Sequence, residues 1–266
     1  LLILLNFSTV CADDVDNEGE FENTVEVTAS SVTALPKTNS RRYIVYDRIS
    51  KSMIIGKNED VKSAMASTTK IMTTIVILEK SDLDETVTVS AKAGGTGGSR
   101  LGLKRGDKAS VKDLLYGLML RSGNDAAVAL AEHVGGSVKE FAELMNEKAI
   151  ELGLTNTHFV TPHGLDDANH YTTALELAKL TDYAMDNETF AKIVGTKSTT
   201  IYINNQPRQI NNTNELLGVL NGVVGVKTGF TNNAGRCLVT ETKRNNMDII
   251  TIVLGADTKK DRTKDS

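Results

Sequence analysis

Alternating apolar residues occupy both ends of this chain while helix-period apolar residues fill its middle, and no other feature narrows the fold as far. Residues 42–47 and 53–57 alternate as two strands joined by a polar turn at 48–51. The alternation returns over 198–203, 223–227, 235–242 and 247–254, with Asn245-Asn246 linking the last two as a tight-hairpin signal. In between, apolar spacing predicts helices over 71–79, over 111–120 with Ser110 as cap and over 126–134 opened by Asp125. Two more are predicted over 138–152, between Ser137 and Gly153, and over 174–185. The expected class is α/β in the α+β sense. It is an antiparallel sheet built from both chain ends, flanked by helices, with an inserted helical lobe and a cleft between the two.

The 266 residues are 40% hydrophobic, enough for a substantial core. The formal charge of −4 and the lack of a basic cluster argue against a nucleic-acid surface. No apolar run is long enough to cross a bilayer. Gly94-Gly95-Thr96-Gly97-Gly98-Ser99 is expected to be irregular, because glycine loses so much entropy on ordering. No Gly-Lys-Ser or Gly-Lys-Thr follows it, so it reads as a mobile loop at the mouth of the cleft rather than a phosphate cradle.

Ser67-Thr68-Thr69-Lys70 is the one place where a lysine lies three residues after a serine. If Ser67 opens the helix that follows, residues three apart share a face and the Lys70 amine sits over the Ser67 hydroxyl. Serine is a weak nucleophile until a neighbour takes its proton, and a desolvated lysine can do that. Ser122-Gly123-Asn124 and Lys227-Thr228-Gly229 follow, each once and in that order. A helix-start serine, a helix-end turn and a strand-end turn account for the three one at a time; the ordered set points to shared chemistry. His158 and His163 are five apart, not one helical turn, and no His-Glu-x-x-His is present, so no metal and no cofactor are expected. The segment 163–166 reads as a turn whose side chains bond to backbone.

The three motifs together resemble the signature of the penicillin-recognising serine acyltransferases, which include penicillin-binding proteins and β-lactamases. Four segments look more narrowly like the D-alanyl-D-alanine carboxypeptidases, low-molecular-mass penicillin-binding proteins that trim peptidoglycan stem peptides. They are 66–74 (Ala-Ser-Thr-Thr-Lys-Ile-Met-Thr-Thr), 118–127 (Leu-Met-Leu-Arg-Ser-Gly-Asn-Asp-Ala-Ala), 156–166 (Asn-Thr-His-Phe-Val-Thr-Pro-His-Gly-Leu-Asp) and 226–231 (Val-Lys-Thr-Gly-Phe-Thr). The resemblance implies a β-lactamase/transpeptidase-like fold, stem peptides ending in D-Ala-D-Ala as substrate, and β-lactam antibiotics as covalent inhibitors. It implies attack by Ser67 and proton abstraction by Lys70. The Lys70 pKa must then fall well below its usual value of about 10.4, through burial and the second cation Lys227. Ser122 would pass a proton to the leaving amine, and Asn124 would hold the acyl-side amide. Thr228 with Lys227 would bind the terminal carboxylate, and Gly229 would leave the strand edge open to an extended substrate. The N–H groups of Ser67 and Phe230 would hold the oxyanion. Arg262 falls where the family places a carboxylate-binding arginine; a solvated surface charge is the other reading.

Two alternatives stand beside the peptidase. A class A-like β-lactamase carries Asp at the Gly123 position and a glutamate for its water, and a non-catalytic β-lactam sensor is usually fused to transmembrane helices. Residues 1–12 read as a signal peptide remnant ending at Val10-Cys11-Ala12. A lipoprotein signal would use Cys11, but Val10 is bulkier than the small residue normally wanted there. Residues 13–36 read as an acidic disordered tether, since 13–26 hold seven acids and no base. The expected catalytic domain is 37–266, truncated at the C-terminus, with Asp265-Ser266 suited to start another amphipathic helix. An extracytoplasmic location at the bacterial cell envelope follows, with membrane association only through segments missing from this chain. Cys237 is then the sole cysteine of the mature protein and reads as a small buried apolar residue.

Overall fold

Both ends of the chain meet in one sheet. The computed structural model describes residues 36–266, so the expected signal remnant and all of the tether but Pro36 lie outside the described residues. Thr38–Ser266 forms one compact unit. Strands β1 (Arg42–Asp47) and β2 (Ser52–Lys57) lead into a 3-10 turn, Ala66–Thr69, and helix α1 (Lys70–Lys80). Then come β3 (Thr86–Thr88), α2 (Ala91–Gly95), β4 (Lys108–Ser110), α3 (Val111–Leu120), α4 (Asn124–Gly135) and α5 (Val138–Glu151). Helices α6 (Ala174–Met185) and α7 (Glu188–Gly195) precede a hairpin of β5 (Ser198–Ile203) and β6 (Gln206–Asn211). The chain closes with β7 (Val223–Thr231), β8 (Gly235–Arg244), β9 (Met247–Ala256) and α8 (Lys259–Asp265).

The five-stranded sheet has the order β2-β1-β9-β8-β7, and every neighbouring pair is antiparallel. The register places Ile44 opposite Ile252 and Tyr46 opposite Ile250, with Val239 and Glu241 alongside them on β8. Alternation therefore puts one row of buried side chains on the face that meets the helices. Helix α6 packs on β1 and β9 on that face, while α8 also contacts β8 and β9. Helix α1 touches α3, α4, α5, α6 and α7. Its first eight residues are all buried, as expected of a helix surrounded by others.

Caps set several boundaries. The side chains of Ser110, Ser137, Thr173 and Asn187 accept the N–H three residues on and start α3, α5, α6 and α7. Three expectations need correction. Gly94-Gly95 are not irregular: they end α2, because Ser90 accepts from the Ala93 N–H and holds Glu132 Oε2 at 2.5 Å. Helix α4 begins at Asn124 after Gly123 rather than behind Asp125, whose carboxylate is engaged elsewhere. The last helix does not begin at Asp265-Ser266; it already runs from Lys259, because Thr258 accepts from the Asp261 N–H. Helix α7 and strand β6 were not anticipated: α7 has only two turns, and β6 reads Gln-Pro-Arg-Gln-Ile-Asn, too polar to alternate.

The polar turn after β1 is structural. Arg48 is buried there and donates to Asp182 Oδ1 at 2.9 Å, Glu241 Oε1 at 2.6 Å, Asp248 Oδ2 at 3.1 Å and Asp186 Oδ1 at 2.5 Å. One guanidinium thus ties the hairpin to α6, β8 and β9. Burial first, and then the Asp248 carboxylate, push the Glu241 carboxyl up to about 7 against the pull of Arg48 and Lys243.

That shift fixes a sign. The unfolded chain releases this proton near the usual carboxylate value, while the folded chain keeps it to about 7. Folding therefore binds a proton in that window, and stability falls as pH rises through it. Buried histidines titrate over part of the same range with the opposite sign, so the Glu241 effect is read as a difference: from pH 5 to pH 8 the melting temperature of Glu241→Gln, neutral throughout, should gain on that of the wild type. A constant difference between the two would remove Glu241 as a source of pH dependence.

Candidate active site

The Ser67 turn is clamped from two sides. Ala66, just before the serine, has φ +49°, a left-handed conformation that costs an L-residue about 1–3 kcal/mol. The Thr69 hydroxyl donates to the Ala66 carbonyl at 2.8 Å, and His170 Nε2 lies 2.8 Å from that hydroxyl. His170 Nδ1 accepts the Val160 N–H at 3.0 Å, so Nε2 carries the ring proton and donates to Thr69. Burial pushes this imidazole down to about 4, which keeps it neutral. Gly164, at φ +82°, lies so close that a Cβ would sit 1.9 Å from the Ala66 oxygen. Across the turn, a Cβ on Gly229 of β7 would sit 3.1 Å from the Ser67 nitrogen. Any side chain there would make the strand or the turn give way slightly.

Lys70 opens α1 and is completely buried. Its amine lies 2.8 Å from Ser67 Oγ, 2.7 Å from Asn124 Oδ1 and 3.0 Å from the His163 carbonyl. Burial and then the Lys227 charge lower its pKa well below the usual lysine value, opposed in part by Asp125. A neutral amine has two N–H bonds and one lone pair. The two carbonyl-type oxygens can only accept, so they take both N–H bonds, and the lone pair is left facing the Ser67 hydroxyl. His163, pushed down to about 3 by burial and then by Lys70, is neutral too, and its Nδ1 accepts the Leu165 N–H at 3.2 Å.

Lys227 lies on β7 and is also buried; desolvation, then the charge of Arg262, lower it to about 7. Its amine donates to the Thr228 carbonyl at 2.9 Å. The Thr228 and Thr213 hydroxyls are 2.8 Å apart. Strand β7 ends the sheet order, so its outer edge is unpaired on the side of the Ser67 turn. Phe230 is half-exposed, its ring 4.4 Å from the Arg236 guanidinium.

Two expectations change here. Arg262 is not a solvated charge: it is 5% exposed, its Nε has no hydrogen-bond partner, and Glu215 approaches only to 3.7 Å. Ser122 is buried in a left-handed turn at φ +59°, but its hydroxyl bonds to neither lysine. Asn124 makes the contact with Lys70 instead. His163 lies in the turn expected at 163–166, its side chain bonded to the Leu165 backbone; Thr213 and His170 carried no local signal, since their partners, Thr228 and Thr69, are 15 and 101 residues away. Among the described residues no group of His, Cys, Asp or Glu is placed to hold a metal ion, and no helix is long and apolar enough to cross a membrane.

Comparisons with known proteins agree with this geometry. The family model described as D-alanyl-D-alanine carboxypeptidase matches residues 27–258. The chain is 39% identical over 225 residues to D-alanyl-D-alanine carboxypeptidase DacF of Bacillus subtilis, covering 82% of this chain and 58% of that protein. It is 38% identical over 262 residues to DacC of Escherichia coli, covering 90% of this chain and 62% of the relative. It thus spans about three-fifths of the length of these relatives. Among solved structures, it is similar to the Streptomyces K15 DD-transpeptidase, with a TM-score of 0.83 and 35% identity, covering 87% of this chain and 95% of that one.

Lys227 tests what the site costs the fold. Its folded pKa is lowered to about 7, so the unfolded chain binds more protons between that value and the usual lysine range. Stability rises with pH through that window, and at lower pH the full penalty of a buried cation remains. Lys227→Met should therefore raise thermal stability at pH 6, by about 1–4 kcal/mol. The gain should shrink toward pH 10. An equal or lower melting temperature at pH 6 would mean that Lys227 is a net stabiliser.

Proposed function

The chain belongs to the D-alanyl-D-alanine carboxypeptidase family, and from that premise we propose that it removes the terminal D-alanine from peptidoglycan stem peptides ending in D-Ala-D-Ala, through an acyl-enzyme on Ser67. The carrying observation is the buried Lys70 amine, with two fixed acceptors and the Ser67 hydroxyl at 2.8 Å. Ser67 Oγ attacks the carbonyl carbon of the scissile amide and its proton passes to Lys70 Nζ. The N–H groups of Ser67 and Phe230 receive the oxyanion. As the intermediate collapses, the C–N bond breaks and the departing amine takes a proton by way of Ser122, after that side chain turns toward it. That proton is the one Lys70 took from Ser67, so Lys70 is neutral again for the next step, and Lys227, protonated opposite the bound carboxylate, is the cation that holds it.

Thr228 and Arg262 complete the carboxylate site. The Arg262 Nε without a partner is a donor in want of an acceptor. Asn124 keeps one amide N–H for the acyl-side peptide group, since Gly97 O occupies the other. Gly229 leaves the free edge of β7 open to the extended peptide. Water then attacks the acyl-enzyme, Lys70 takes its proton, and the shortened peptide leaves with Ser67 restored. β-Lactams, which carry a carboxylate beside a strained amide, would acylate Ser67 by the same route. The substrate class puts the action outside the cytoplasm, at the cell envelope.

A fluorescent penicillin should label Ser67 covalently, and Ser67→Ala or Lys70→Ala should abolish the label. Attachment at any other residue in a digest would defeat the assignment. Release of D-alanine from diacetyl-L-Lys-D-Ala-D-Ala should accompany labelling. The same peptide ending in a carboxamide should react more slowly, since a charge-assisted contact contributes about 1.5–3 kcal/mol, or roughly one to two decades of rate. Equal rates on acid and amide would remove Lys227, Thr228 and Arg262 as carboxylate binders.

A further inference from the structure

The Asp125 carboxylate is completely buried and is held by backbone alone. Its Oδ1 accepts the N–H of Leu101 at 2.8 Å and of Ala126 at 3.0 Å; its Oδ2 accepts those of Gly102 at 2.8 Å and Leu103 at 2.9 Å. Three of the four belong to a strap, residues 97–103, that passes over the start of α4. The strap closes on the neighbouring residue. Asn124 donates its backbone N–H to Ser99 O at 2.7 Å and its side-chain Nδ2 to Gly97 O at 2.8 Å. The other end of that amide, Oδ1, is the oxygen that receives the Lys70 N–H.

We propose that Asp125 is a positioning residue for the reaction: by gripping the backbone of 101–103 it holds the strap on Asn124, and the strap fixes which end of the Asn124 amide faces Lys70. The inference rests on the functional reading above. An amide can turn end for end at little steric cost, so only its hydrogen bonds fix it. Gly97 O can only accept, which commits Nδ2 to the strap and Oδ1 to Lys70. Without that carbonyl the amide is free to turn, presenting NH2 to the amine and taking one N–H acceptor away. The lone pair of Lys70 would then no longer be confined to the Ser67 side.

Asp125 acts on the amine in a second way. The charged or titratable groups facing Lys70 are Lys227 from β7, neutral His163 from the 161–166 segment, neutral His170 beside Thr69, and Asp125 from α4. Of these Asp125 alone favours the ammonium, so its removal makes Lys70 easier to deprotonate.

Acylation of Ser67 by a fluorescent penicillin, followed against pH, tests both actions in the full chain. Asp125→Asn keeps the size but turns one oxygen into a donor that meets strap N–H groups. It should speed hydrogen exchange at 97–103, slow acylation by roughly ten- to a hundred-fold, and move the acid limb of the profile to lower pH. A part that only supports the fold would not move that limb. Gly98→Ala is the second variant, since Gly98 is exposed and a Cβ there would sit 2.6 Å from Asn124 Nδ2. It should slow acylation at temperatures where the variant is fully folded, while the melting temperature falls only by the strain of an alanine at φ +79°. An unmoved acid limb in Asp125→Asn, or a wild-type rate in Gly98→Ala, overturns the proposal. A wild-type protein that takes no label fails the functional reading instead, and the wild-type arm reports that by itself.

Discussion

The site depends on keeping one amine uncharged inside the protein. Moving an ammonium out of water costs several kcal/mol, and a lysine escapes most of that cost by giving up its proton. Lys70 is placed where it must do so. It opens a helix that five others surround, so water is excluded by the same packing that builds the core. The acceptors around it, Asn124 Oδ1 and the His163 carbonyl, are neutral, so neither offers the full counter-charge that would hold the proton on. Burial that elsewhere would count as a defect here leaves the amine able to accept a proton.

The sheet provides the other half of the control, over long sequence distances. Strand β7 brings Lys227 toward Lys70, and α8 brings Arg262 toward Lys227. Each cation lowers the proton affinity of the next. Residues 70, 227 and 262 come together only because the C-terminal strands pair with one another and then with β1. The antiparallel order is therefore part of the electrostatics. Cys237, buried on β8 beside this chain of charges, is a free thiol pushed up to about 11 by burial, and so remains a packing residue at neutral pH.

What the sequence revealed was local. Ser67 and Lys70 are one turn apart, and Ser110 and Ser137 stand directly before apolar periodicities, so spacing alone exposed them. Strands 198–203 and 247–254 were legible for the same reason, by their own alternation. What stayed hidden was long-range. Asp125 reads as a helix cap, because nothing nearby says that its acceptors serve N–H groups 22 to 24 residues upstream. His170 supports the Ser67 turn across 101 residues. Arg262 is singled out by the resemblance alone: its helix is short and polar, and its burial comes from the sheet beneath. Gly94-Gly95 mislead in the opposite direction: glycine entropy disfavours a helix, but Ser90 and Glu132 outweigh it over a single turn.

Ser67 is held by what surrounds its turn rather than by the turn's own preference. Ala66 and Ser122 both sit in left-handed conformations that an L-residue disfavours; the first precedes Ser67 and the second opens the Ser122-Gly123-Asn124 motif. Such geometry persists only when neighbours over-determine it. At Ala66 they do: Thr69 holds the carbonyl, His170 holds Thr69, and the Val160 N–H fixes the ring. Gly164 and Gly229 then close on the turn, with no room for a side chain on the first and little on the second. A methyl group at Gly164 would overlap the Ala66 oxygen and push the serine away from its amine. The contact of 2.8 Å between Ser67 and Lys70 is thus set by two residues with no side chains of their own.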